Sequence, residues 1–462
     1  MISSPAADAA LVAPESPSFV QALKFWLKLG LISFGGPAGQ IAIMHKELVQ
    51  ERRWISENRF LHALNYCMLL PGPEAQQLAT YLGWLMHRTR GGLAAGMLFV
   101  LPSLLILIAL SWVYMAFGNT PLIAGIFYGI KPAVTAIVLH AAWRIGSRAL
   151  KNGWLWAIAA AAFVAIFALQ APFPLIVLGA AVAGWLGGRY LPEKFAIGGG
   201  SSGGHAASGN GYGAAVIDDH TPTPLHARFR PGRLALLIGC GAALWIAPMA
   251  LLIASQGLTG TQTQMGWFFT KAALLTFGGA YAVLPYVYQG AVGHYGWLTG
   301  PQMIDGLALG ETTPGPLIMV VAFVGFVGGW QDAAAHAAGA MLSGPAIVFS
   351  ALLGATVATY FTFLPSFLFI FGGAPLVEST RNKLAFTAPL TGITAAVVGV
   401  IVNLALFFAY YVLWPQGFSG RFEWPAALIA LAAVIALFSF KRGVLEVIGA
   451  SALIGLLIAF LK

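Results

Sequence analysis

The chain has 462 residues, of which 59% are hydrophobic and 8% charged, with a mean hydropathy of +0.81. A soluble domain carries roughly 25% charge, so this composition predicts a polytopic membrane protein. The net charge of +9 would suggest a nucleic-acid partner in a soluble protein, but here Lys and Arg lie between apolar segments, where they orient helices, and nucleic-acid binding is excluded.

Residues 1–18 lack the basic n-region and apolar h-region of a cleaved signal, so they read as an N-terminal tail and the first apolar segment directs insertion. That segment, from about 19 to 44, is interrupted by Phe34-Gly35-Gly36-Pro37, and the next, from about 58 to 86, by Pro71-Gly72-Pro73. Each piece falls short of the roughly 20 residues that cross a bilayer, which predicts paired half-helices. Four fuller apolar segments follow near 92–117, 121–142, 154–170 and 173–188, completing a first repeat over 19–192. Residues 193–233 begin with a Gly/Ser tract and continue through Asp218, Asp219 and a Pro/Arg-rich stretch, which predicts a flexible cytoplasmic linker. Its Gly209, Gly211 and Gly213 have no flanking strand and helix and so do not make a dinucleotide site. An extra transmembrane helix is expected at 234–255. The second repeat, 264–462, then runs near 264–288, 302–328, 338–360, 385–411, 424–439 and 443–461, with an apolar piece around 362–373.

The two repeats share motifs at one fixed separation. Phe277-Gly278-Gly279 and Pro314-Gly315-Pro316 stand 243 positions after their first-half counterparts, and the same offset pairs Lys28 with Lys271, Trp54 with Trp297, Gly96 with Gly339 and Pro102 with Pro345. Basic residues flank the first Pro-Gly-Pro segment on both sides (Lys46, Arg52, Arg53, Arg59; Arg88, Arg90), placing both flanks in the cytoplasm and predicting a segment that enters and returns. The second-half equivalents, 289–301 and 329–337, contain no Lys or Arg and read as external loops. Arg381, Lys383, Lys441 and Arg442 occur where first-half loops are uncharged, and Arg144, Arg148 and Lys151 are matched only by Arg421 beside Glu423. This reversal, with one extra crossing between the repeats, predicts an all-α protein of two inverted halves.

Paired Gly/Pro interruptions in the two halves of an apolar chain point to a transporter's binding site. Helix N-termini favour anions; Pro37, Pro73 and Pro316 suit the first position of a half-helix; Gly35, Gly36, Gly72, Gly278, Gly279 and Gly315 allow tight turns. Pro71 and Pro314 complete the breaks, and Lys28 and Lys271, about two turns before the Gly-Gly pairs, could add positive charge. The plainer reading is that these are kink and packing residues; their duplication favours a site.

The motifs, with FGGPAGQIAIMHKELVQERRWIS and ALNYCMLLPGPEAQQLATYLGW around them, resemble the chromate ion transporter family in its long, two-domain form, over about 19–190 and 264–461. The resemblance implies export of chromate across the bacterial inner membrane, driven by a proton or potential gradient. The second half departs from the pattern: Ala280 stands opposite Pro37, and Val283, Leu317, Met319 and Val320 stand opposite Gln40, Glu74, Gln76 and Gln77. Gln40, Gln76 and Gln77 can donate amide hydrogens to an oxyanion, and Ser33 and Thr276 offer hydroxyls. Glu74 is a proton carrier or a counter-ion to Lys28 or another cation; Glu311 is a second coupling candidate and Lys131 a weaker one. His45, His62 and His87 lie near segment ends and read as interfacial. Cys67 and Cys240, both in apolar surroundings, form neither disulfide framework nor metal cluster. No P-loop, metal or cofactor motif occurs, so neither ATP-driven pumping nor an enzyme is expected. The alternatives are a transporter of sulfate or another oxyanion, or a passive channel. The expected partners are the anion and the lipid bilayer, with a homo-oligomer left open.

Overall fold

The computed structural model describes residues 14–34, 36–195, 212–219, 221–222, 224–339, 344–379 and 387–461. Within them the regular structure is helical, apart from one parallel bridge between Ile55 and Ile217. Among the described residues eight helices are long and apolar enough to cross a membrane, and two shorter apolar helices, Gly153–Phe167 and Trp424–Phe438, accompany them. The protein is an all-α polytopic membrane protein.

In the first half, helix α1 (Phe19–Ile32) begins at a capping box between Ser18 and Gln21. It stops at Ser33, and α2 (Gly36–His45) resumes after Gly36 turns at φ +74°, running into a π-helical turn, Lys46–Glu51. Helix α3 (Glu57–Leu69) is capped by Ser56 and ends before Gly72, whose φ is +129°. Helix α4 (Glu74–Phe117) reverses at His87 and Arg88, the latter with φ +57°. Its arms pack antiparallel without side chains between them: a Cβ added to Gly83 would meet the Gly91 carbonyl at 2.5 Å and the Ala95 methyl at 2.6 Å. Helices α5 (Pro121–Ala149), α6 (Gly153–Phe167) and α7 (Phe173–Tyr190) close this half, and α8 (Pro231–Gln256) crosses to the second. Only 17% of the α8 span is buried, so α8 lies at the rim.

The second half comprises α9 (Thr261–Leu275), α10 (Ala280–Tyr288) with a π-helical turn at Gln289–His294, α11 (Gly300–Thr312), α12 (Val320–Gly339) after a 3-10 turn at Leu317–Met319, α13 (Gly344–Ser379), α14 (Thr387–Leu413), α15 (Trp424–Phe438) and α16 (Val444–Leu461). The offset of 243 holds through local detail. The π-helical turns correspond residue for residue, Thr299 caps α11 as Ser56 caps α3, and Gly279 and Gly315 take φ +96° and +114° where Gly36 and Gly72 are also positive. Beyond that point the register changes. The α12–α13 hairpin is longer than its counterpart in α4, and Ser366 of α13, 263 positions from Ser103, takes the place facing a break that Ser103 takes. The expected pairs Gly96/Gly339 and Pro102/Pro345 fall in the altered stretch; the matching proline is Pro365. Residues 329–337, expected as a loop, lie within α12, and the apolar piece at 362–373 belongs to α13.

The linker also differs from its expectation. Residues 196–211, 220 and 223 lie outside the described residues, but the stretch after them docks: Ile217 N–H bonds the Trp54 carbonyl (3.1 Å), Asp219 accepts from Ser56 (2.6 Å) and Asn58 (2.7 Å), and the His226 ring reaches the Trp84 carbonyl (3.0 Å). Short polar side chains and a strand-like bridge hold it where its composition offers little apolar surface. These contacts gather the start of α3, the α4 reversal and the start of α8 at one end. At the other, Thr261 bonds Asp332 (2.8 Å), Gln331 bonds Gln302 (3.1 Å) and Gln262 bonds Ser350 (2.8 Å). Helix α13 runs between these ends, about 42 Å from Ser350 to Glu378 at the helical rise.

Candidate binding site between the two halves

The two Pro-Gly-Pro breaks meet the ends of α9 and α1 across the half–half boundary. Gly72 N–H donates to the Thr276 carbonyl (2.7 Å), and Gly315 N–H donates to the Ser33 carbonyl (2.8 Å). Because both pairs obey the 243 offset, each half binds the other by the same bond. Only glycine fits: a Cβ at Gly72 would lie 2.5 Å from both Gln77 Nε2 and Ser366 Oγ, and one at Gly315 would lie 2.7 Å from Ser103 Cβ. The Gln40 amide reinforces the crossing by donating to the Gly315 carbonyl (2.6 Å) and, more weakly, to that of Ser33 (3.3 Å).

Around this crossing, among the described residues, six buried polar atoms lack a hydrogen-bond partner: the hydroxyls of Ser33, Ser103 and Ser366 and the Oε1 atoms of Gln40, Gln76 and Gln77. Leaving such groups dry is costly, so the cluster calls for a polar occupant. The hydroxyls can donate to an anion, and rotating a glutamine amide exchanges its oxygen for NH2. Gln77 is held by the Pro71 carbonyl (2.8 Å) and Gln76 by Thr80 (3.1 Å). The first turn of α4 adds N–H groups without intrahelical partners, close to where Gly72 turns.

The expected site residues divide into two sets. Ser33, Gln40, Gly72, Gln76, Gln77, Thr276, Gly315 and the flanking Pro71, Pro73, Pro314 and Pro316 converge; Thr276 differs from Ser33 because its hydroxyl bonds the Ala272 carbonyl (2.7 Å). The N–H groups of Gly72 and Gly315 are engaged across the boundary, so the backbone contribution shifts to the helix starts beyond them. Pro73 and Pro316 sit at N-cap positions, one residue earlier than expected, and Pro37 is the second residue of α2. Gly278 takes φ +80°; Gly35 lies outside the described residues. The lysines stand apart. Lys28 is 53% exposed and pairs with Glu47 (2.6 Å), which Arg52 also binds (3.0 Å), and Lys271 points outward over Trp267. Burial raises the Glu47 pKa, but the bonds from Lys28 and Arg52 together bring it below the usual carboxylate value. Lys28 therefore has its own counter-ion and is not the partner of Glu74. Glu74 is half-buried beside Pro73, and among the described residues no hydrogen bond or ion pair reaches its carboxylate. Glu311 is buried and accepts a hydrogen bond from the Tyr281 hydroxyl.

Sequence reasoning missed Ser103, Ser366, Asp305 and Glu378. The serines carry a signal after the fact, since each sits in a Leu-Pro-Ser triplet, at 101–103 and 364–366. Asp305 and Glu378 are carboxylates in otherwise apolar segments, which marks intramembrane function by default.

Two matched series of helices, joined by a peripheral crossing and enclosing unpartnered polar groups, define a multi-pass membrane protein with a polar centre at the boundary of its halves. The chain belongs to the chromate transporter family, which it matches over residues 20–185 and again over 263–456, and it is a protein of the bacterial plasma membrane. It is 35% identical over 408 residues to a chromate transport protein of Pseudomonas aeruginosa, covering 86% of this chain and 83% of that one. It is 29% identical over 443 residues to a chromate transport protein of Cupriavidus metallidurans, covering 94% and 92%. An uncharacterised transporter of Bacillus subtilis is 33% identical over 129 residues, 28% of this chain but 72% of its own. No solved structure matches.

Proposed function

We propose that this protein exports chromate by secondary active transport, binding the oxyanion where the two broken segments cross. The observation that carries this reading is the reciprocal Gly72–Thr276 and Gly315–Ser33 bonding around six buried, unpartnered polar atoms. The names of the full-length relatives supply the substrate. The two halves are an inverted repeat: equivalent segments start at opposite ends of the molecule, and α8 turns the second half over. The end holding the docked linker, Lys46 and Arg52 is cytoplasmic, and α3 with the first arm of α4 enters and returns. With neutral donors at the centre, a dianion keeps its charge during the crossing. A membrane potential then contributes about 4.6 kcal/mol per 100 mV for two charges, in the outward direction when the cytoplasm is negative. Glu74, without a partner among the described residues and beside the break, is the candidate for proton coupling.

Everted vesicles test the proposal. Chromate should accumulate inside against its gradient when a potential or pH gradient is imposed, with excess sulfate competing weakly. Equilibration without accumulation would make the protein a channel, preferred sulfate uptake would change the substrate, and reduced chromium among the products would make it an enzyme.

A further inference from the structure

Two ionic clasps join the halves, one on each side of the crossing, and the expected site includes neither as a unit; the first is buried throughout, and in the second the carboxylate is buried while the Lys131 side chain is 30% exposed. Near the linker end, Arg59 of α3 binds Glu378 of α13 (2.8 Å), and the Tyr81 hydroxyl donates to the other oxygen of Glu378 (2.6 Å). Toward the opposite end, Lys131 of α5 binds Asp305 of α11 (3.3 Å), and the Tyr114 hydroxyl donates to the same carboxylate oxygen (2.9 Å). In both, the second half supplies the carboxylate and the first half the cation and the tyrosine. The carboxylate side chains are 2% and 3% exposed.

Their placement follows the repeat. Helices α3 and α11 are equivalents, and each meets the far end of the other half's long arm: α3 meets α13, and α11 meets the second arm of α4. Tyr114 lies about 16 Å along α4 from Ser103, and Glu378 about 18 Å along α13 from Ser366, at the helical rise. The central serines therefore stand roughly midway between the clasps. Arg59 also donates to the Asp218 carbonyl (3.3 Å) and the Thr221 carbonyl (2.6 Å), tying the docked linker to the first clasp. A pair that joins the two halves suits a gate: intact, opposite charges and the tyrosine hydrogen bond offset the burial of the carboxylate, although among the described residues Asp305 Oδ1 accepts no bond, and once one member is lost the remaining charge demands water.

We propose that Arg59–Glu378–Tyr81 and Lys131–Asp305–Tyr114 are the two gates of the transport cycle, closing the central site from the linker end and from the opposite end. Both are closed in this structure. The inference rests on the transport reading, and its test uses access to the centre instead of substrate movement.

A cysteine at position 33, Ser33→Cys, is introduced after Cys67→Ala and Cys240→Ala, and a membrane-impermeant charged thiol reagent is applied to right-side-out and everted vesicles. The parent should label slowly from both faces. Glu378→Gln should speed labelling about tenfold or more from the linker face alone, and Asp305→Asn should do so from the opposite face alone, because a broken buried pair costs several times thermal energy. The exchange Arg59→Glu with Glu378→Arg should restore protection, which a general loosening would not. Unchanged labelling in both single variants, acceleration from the same face in both, or labelling from both faces at once would each overturn the assignment. If the labelling pattern appears while the protein with Ser33 and both native cysteines in place does not move chromate, the gates stand and the proposed substrate falls.

Discussion

Gln76 and Gln77 are neighbours with different attachments, and their variants should separate binding from folding. Gln76 leans on the Thr80 hydroxyl, which also bonds within its own helix, whereas Gln77 holds the Pro71 carbonyl of the break. Gln76→Leu should weaken chromate uptake several-fold with little change in thermal stability. Gln77→Leu should weaken uptake and also cost about 1–3 kcal/mol, since a buried carbonyl loses its donor. Uptake kinetics with melting curves in detergent check both; normal uptake in both would remove the side chains from the proposed site. Glu74→Gln keeps volume and hydrogen-bonding capacity but not ionisation. If Glu74 carries the coupled proton, the variant should exchange chromate down its gradient yet fail to concentrate it under an imposed pH gradient. A parallel loss of both activities would mean charge balance, and unaltered accumulation would return Glu74 to packing. Glu74 was legible because it adjoins a duplicated motif. Asp305 and Glu378 were not: their partners lie 174 and 319 positions away in the other half, and no local spacing reports a contact of that range.

Among the elements, the broken segments were the most legible, since glycine and proline interrupt an apolar pattern wherever the chain must turn. Ser56 and Thr299 as caps, the π-helical turns and both Pro-Gly-Pro breaks all fall on the 243 register. The longer α12–α13 hairpin was hidden because apolar helix extends apolar helix without punctuation. The glycines of the breaks should not respond alike to substitution. At Gly36 and Gly279 an added methyl meets nothing within 4 Å and suffers only from the positive-φ backbone, which at Gly279 (φ +96°, ψ 173°) lies in a region almost confined to glycine, so alanine should cost about 1–3 kcal/mol. At Gly72 the same methyl also strikes Gln77 and Ser366 at 2.5 Å, so Gly72→Ala should cost clearly more and abolish uptake. Melting temperatures in the reverse order would show that the crossing is looser than its contacts imply.

For the molecule as a whole, the proposed inverted arrangement predicts opposite exposure of two surface positions. Lys46, with its side chain 69% exposed, stands at the linker end, and His336, 72% exposed, stands at the other. Cysteines introduced at these positions should label from opposite faces of oriented vesicles; labelling from one face would end the inverted-repeat reading. Charge counting had proposed this orientation from Arg381 and Lys383 among others. Those two lie outside the described residues, so the structural support comes instead from which helix ends meet.

The exchange of hydrogen bonds between the halves also sets a clock on the protein's synthesis. On the proposed re-entrant path the Gly72 amide enters the bilayer early, but its acceptor, the Thr276 carbonyl, is made 204 residues later. At about 5–20 residues per second that is a delay of roughly 10–40 s. An unmatched amide in hydrocarbon costs several kcal/mol, so the nascent first half must keep its break wet, or sheltered by the insertion machinery, until the ribosome delivers the second.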